Sequence, residues 1–167
     1  MIPKSKLLSP IILLPMLTRV ITALLILPFP LVGWAVAFIL DSLDNPVWVI
    51  LGKLNQTQYH WLDKKVDWAV YLAMFLALVS RTHWLLPTIL LLYRFIGQII
   101  FELNHDHRTF LIFFNFFEVY FLWYFQPFGH TLNALVIVFL LKILQEIWIH
   151  QTSVNILNKL GYYRIHS

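Results

Sequence analysis

Cysteine is absent from the 167 residues, and acidic side chains are scarce, with eight Asp and Glu in all. The first absence excludes disulfides, thiolate metal sites and cysteine nucleophiles. Charge of either sign is thin. Asp, Glu, Lys and Arg together make up 12% of the chain, against about 25% in a typical soluble domain. Only five glycines occur, and no internal repeat or low-complexity segment stands out.

What is present is apolar bulk. Hydrophobic residues make up 60% of the chain, including fourteen Phe, seven Trp and seven Tyr. A core of this size cannot hide so much apolar surface from water, so lipid is expected to act as its solvent. The chain is read as an all-α integral membrane protein, one transmembrane domain over residues 1–167. Its net charge is +4. On such a chain basic residues are topology signals and headgroup contacts, and no nucleic-acid partner is expected.

A spanning helix needs roughly 20 mainly apolar residues. Six candidate segments emerge, the second of them short: Leu7 to Leu27, Leu31 to Asp44, Trp61 to Ser80, Trp84 to Phe101, Thr109 to Phe125 and Thr131 to His150. The first follows Lys4 and Lys6 but runs past signal-peptide length without a small-residue cleavage pattern, so it reads as retained. Pro28-Phe29-Pro30 and Gln126-Pro127-Phe128-Gly129 mark tight turns. A mildly amphipathic tail covers 151–167. With the N-terminus inside, the inner segments hold Lys4, Lys6, Lys53, Lys64, Lys65, Arg108, Lys159 and Arg164, and the outer turns only Arg81. That bias puts both termini in the cytoplasm.

Half of the acidic residues lie in one stretch, 41–67. Asp41 and Asp44 are spaced i,i+3 and Asp63 and Asp67 i,i+4, so each pair shares one helix face. Only about eleven residues separate the proline turn from Asp41, half the hydrocarbon thickness at 1.5 Å per residue. Carboxylates at that depth are costly and usually functional. Four of them together need protons or cations. Mg²⁺ or Mn²⁺ suits oxygen ligands, and a pair of such ions can clamp a transferring phosphoryl group. The competing account is that each aspartate caps a helix end, as Asp63 can. Pro46 disfavours helical geometry at Asn45, so the second helix is expected to stop or kink there.

Asp41-Ser-Leu-Asp44 and Asp63-Lys-Lys-Val-Asp67 resemble the motif of the CDP-alcohol phosphatidyltransferases, D-x-x-D-G-x-x-A-R followed by G-x-x-x-D-x-x-x-D, in its longer variant. Asn55-Gln56-Thr57, Leu62-Asp63 and Leu17-Thr18-Arg19-Val20-Ile21 look like stretches of bacterial phosphatidylglycerophosphate synthases. The resemblance implies a six-helix bundle in a bacterial cytoplasmic membrane, and homodimers as in relatives. It implies a pair of Mg²⁺ or Mn²⁺ ions on Asp41, Asp44 and Asp63. Asp67 would be the general base and a further metal contact. The implied reaction joins an alcohol to a CDP-linked lipid donor, releasing CMP, in phospholipid biosynthesis. The nucleotide half of the motif departs from the family. Its glycines are Asn45 and Tyr59 here, its Ala-Arg pair falls on Trp48-Val49, and Lys53 lies near a basic position of relatives. Asn45, Lys53 and Tyr59 are the candidate donor contacts. A donor-altered or inactive relative acting as a membrane binding or scaffold protein is the alternative, and a transporter a third reading.

Other charges lie inside expected spans. Arg94 either binds a lipid or substrate phosphate or pairs with Glu102 or Glu118. Lys142 is expected to pair with Glu146 at i,i+4, and Arg19 to snorkel to an interface. His105-Asp106-His107-Arg108 reads as a solvated loop in which Arg108 offers a phosphate contact.

Overall fold

The computed structural model describes residues 9–54, 56–104 and 109–159. They form helices and connecting loops, with no strand among the described residues. Helix α1 spans Pro10–Ala23. Pro10 suits the first helical position, where its missing N–H has no partner to lose. The chain tightens into a 3₁₀ turn, Leu24–Ile26, and reverses at the expected proline turn. Helix α2, Pro30–Pro46, then returns along α1. The close return needs Gly33, where a Cβ would lie 2.4 Å from the backbone nitrogen of Ile26.

At Pro46 the winding changes rather than stopping. A π-helical turn follows, Val47–Leu51. The Gly52 N–H donates to the Val47 carbonyl at 3.0 Å, and the Leu54 N–H to that of Trp48 at 3.1 Å. Pro46 has no N–H to donate, which frees the ladder to widen. Lys53, with φ of 50°, takes the left-handed conformation that turns the chain into α3.

Helix α3, Gln56–Val79, starts ahead of the expected Trp61. It packs against α1, α2 and the following helix, α4, Leu85–Asn104. The segment expected as one fifth span is two helices, α5 at Thr109–Ile112 and α6 at Phe116–Phe125. Helix α7, Leu132–Lys159, continues past His150 through much of the expected tail.

The break at residues 113–115 has identifiable causes. Asn115 caps α6, accepting from the Glu118 N–H at 3.3 Å. The carbonyls released by the break are recaptured from α4: the Tyr93 hydroxyl donates to Ile112 and the Arg94 guanidinium to Phe113 at 3.0 Å. Backbone carbonyls away from water require such partners, and an apolar chain placed in lipid would otherwise leave these two with none. Gly97 makes room for the kinked segment, since a Cβ there would meet the Phe113 Cβ at 2.2 Å.

Two apolar clusters hold the bundle. One joins Ile26, Tyr71, Met74, Leu78, Phe117 and Phe121 between α1, α3 and α6. The other joins Ile12, Trp48, Val49, Leu54, Tyr59 and Leu62 around the π-helical turn. Much apolar surface stays outside, including Leu14, Val32, Leu72, Leu92 and Leu144. Among the described residues, α4 is long and apolar enough to cross a membrane; Pro10–Ile26, Phe116–Phe125 and Leu132–Gln145 are shorter apolar stretches.

Candidate metal centre

Helix α3 supplies the centre of the site. Asp63 and Asp67, one turn apart, face the same side and meet Asp41 from α2. One oxygen from each carboxylate lies within 4.8 Å of the others. Asp63 is buried, while the Asp41 side chain is 31% exposed and opens the cluster to its surroundings. The side chain of Asp44 lies outside what is described.

Arg19 of α1 enters this cluster. The expectation that it snorkels to an interface is wrong. Its side chain is 2% exposed, and its guanidinium reaches Asp63 and Asp41 at 2.9 Å each and Asp67 at 2.5 Å. The reason is electrostatic. Three carboxylates drawn together by α2 and α3 offer a buried cation far more than an interface does. Lys64 closes the other side, at 2.8 Å from Asp63 and 3.2 Å from Asp67. Both oxygens of Asp63 and of Asp67 therefore face a cation. The described side chains sum to one net negative charge, three carboxylates against two cations.

The donor set tests favourably for a hard divalent ion. All three groups are carboxylates on rigid helices, and Mg²⁺ and Mn²⁺ take oxygen ligands. The simple capping account fails for Asp63 and Asp67, which sit inside α3 and bond side chains of other residues.

The candidate donor contacts are less open. Tyr59 is buried in the cluster with Trp48, their rings 6.0 Å apart. Trp48 and Tyr59, two of the positions in the nucleotide half of the resembled motif, are thus filled by packed side chains. Lys53 is exposed in the linker before α3. The Asn45 side chain and the whole of Arg108, with the rest of its loop, lie outside the described residues.

A second polar centre lies one turn further along α3. Glu118, in the first turn of α6, accepts from the Trp34 indole at 2.6 Å and from Asn115 at 2.8 Å, and pairs with Lys142 at 2.7 Å. The Tyr71 hydroxyl, one turn beyond Asp67, accepts from Asn115 at 3.3 Å and Arg94 at 3.4 Å. Arg94, offered above as a phosphate contact, here supports the helix break. Lys142 thus has a partner on another helix, Glu118, while the side chain of Glu146, its expected partner, lies outside the described residues. The signal of Glu118 in the sequence was only that it is an acid inside an apolar span.

Comparison with known family models, curated proteins and solved structures returns no match.

Proposed function

We propose that the protein is a metal-dependent membrane phosphotransferase. It passes a phosphatidyl or substituted phosphate group from a CDP-linked donor to an alcohol, in the manner of the family its aspartates resemble. The observation that carries this reading is the convergence of Asp41, Asp63 and Asp67 to within 4.8 Å. These residues, with Asp44, would hold a pair of Mg²⁺ or Mn²⁺ ions, which when bound neutralise charge on the transferring phosphoryl group. Asp67 takes the proton of the attacking hydroxyl as its oxygen bonds to phosphorus and CMP leaves. A membrane setting is supported by the apolar outer surface and the length of α4; six spans with both termini on the cytoplasmic side are proposed from the basic residues of the connecting segments.

The test uses purified protein with Mg²⁺ or Mn²⁺, CDP-diacylglycerol and a panel of alcohols. Expected is CMP release that Asp67→Asn abolishes. No turnover with any donor, together with no divalent-ion binding, would sink the proposal. One observation favours a second reading, a donor-altered or non-catalytic relative. Trp48 and Tyr59 pack where relatives keep space for the nucleotide. That reading expects divalent-ion binding without CMP release.

A further inference from the structure

Arg19 and Lys64 hold the same carboxylate oxygens that a divalent ion would need. Arg19 bonds Oδ1 of Asp41, Asp63 and Asp67; Lys64 takes Oδ2 of Asp63 and Asp67. The ligand atoms lie too close together for a metal ion and the guanidinium to share them, since a hard ion binds its oxygens at about 2.0–2.2 Å and repels a neighbouring cation. We infer, on the reading of these carboxylates as a divalent-ion site, that Arg19 is a tethered competitor for the ion.

The competition has two consequences. In the ion-free protein Arg19 keeps three like charges assembled, so the site is preformed across α1, α2 and α3. Ion entry must displace the guanidinium, which weakens apparent ion affinity. It also inverts the local charge. The four aspartates against Arg19 and Lys64 sum to two negative charges without an ion and to two positive charges with the pair of divalent ions. An anionic phosphate substrate is then drawn to the loaded site and not to the empty one. Arg19, freed from the carboxylates, remains beside it as a hydrogen-bond donor to phosphate.

The experiment measures Mn²⁺ binding to the full chain in detergent by electron paramagnetic resonance, for wild type, Arg19→Gln and Arg19→Lys. Removing a unit charge at such range is expected to tighten Mn²⁺ binding by about tenfold or more. Arg19→Lys keeps a charge and is expected to stay near wild type. Mn²⁺ is also expected to raise the melting temperature of Arg19→Gln more than that of wild type, because the ion replaces the lost cation. Where Arg19→Gln fails to fold, Lys64→Gln reads the same competition, with an expected tightening of about threefold. Equal or weaker Mn²⁺ binding in the glutamine variants, with wild type binding normally, overturns the inference and leaves the metal site standing. No Mn²⁺ bound by any form overturns the metal site itself, and the inference with it.

Discussion

Arg19 and Asp63 stand 44 positions apart in the chain and meet at 2.9 Å in the interior of the bundle. Asp41, Asp67 and Lys64 complete the cluster around them. The contact ties α1 to α3 and makes a charge at either position depend on the other. With either group removed, Arg19 still faces Asp41 and Asp67 and Asp63 still faces Lys64, so the pair is one edge of a buried network, unlike the exposed ion pairs of the surface.

Asp63→Asn is therefore expected to cost about 1.5–3 kcal/mol of stability, the scale of a lost charge-assisted hydrogen bond, because Arg19 and Lys64 keep other carboxylates. Thermal unfolding in detergent measures it. A loss below about 1 kcal/mol would place the pair among solvent-screened contacts and contradict its burial.

Lys65 and Glu102 provide the contrast. They pair at 3.2 Å, but their side chains are 45% and 40% exposed. Lys65→Gln should change stability by no more than about 0.5 kcal/mol, with raised salt removing even that. The same unfolding measurement checks it.

Glu118 and Lys142 form the second buried pair. Glu118→Gln should destabilise by about 3–5 kcal/mol, since it breaks a buried pair. Adding Lys142→Met should recover most of the loss. A double-mutant cycle decides the point: strictly additive losses would mean that the two residues act independently.

Gly97 tests the break in the fifth apolar segment. A methyl group there meets Phe113 at a distance no real Cβ tolerates. Gly97→Ala should lower stability by about 1–3 kcal/mol through overpacking. Because the clash involves the Phe113 Cβ itself, Phe113→Ala should not relieve it, whereas Phe113→Gly should relieve part of it. Melting temperatures of the two double variants separate these outcomes.

The local features were legible in the residues. Apolar runs of sufficient length make helices, and the Pro28–Pro30 and Gln126–Gly129 turns fall where proline and glycine interrupt them. Helical spacing alone placed Asp63 and Asp67 on one face, because 3.6 residues per turn leaves no other geometry. Pro46 announced its disturbance, although a π-helical turn absorbed it instead of a stop. The site's negative half was thus readable from spacing and from the cost of burying charge.

Its positive half was not. Arg19 lies in an apolar run whose flanks say nothing of which way it faces, so interface and interior looked alike. Lys142 has an acid at i+4 on its own helix, and spacing gives no sign of the partner that the tertiary structure brings it, Glu118 from α6. The break at Phe113–Asn115 lies in a run of aromatic residues that reads as continuous helix. It exists because Tyr93 and Arg94 capture the freed carbonyls and Gly97 admits Phe113. Each of these outcomes depends on how helices rotate and how deeply they sit against one another. Packing sets those two variables, and a helix apolar on most of its faces carries no periodic signal that reveals them.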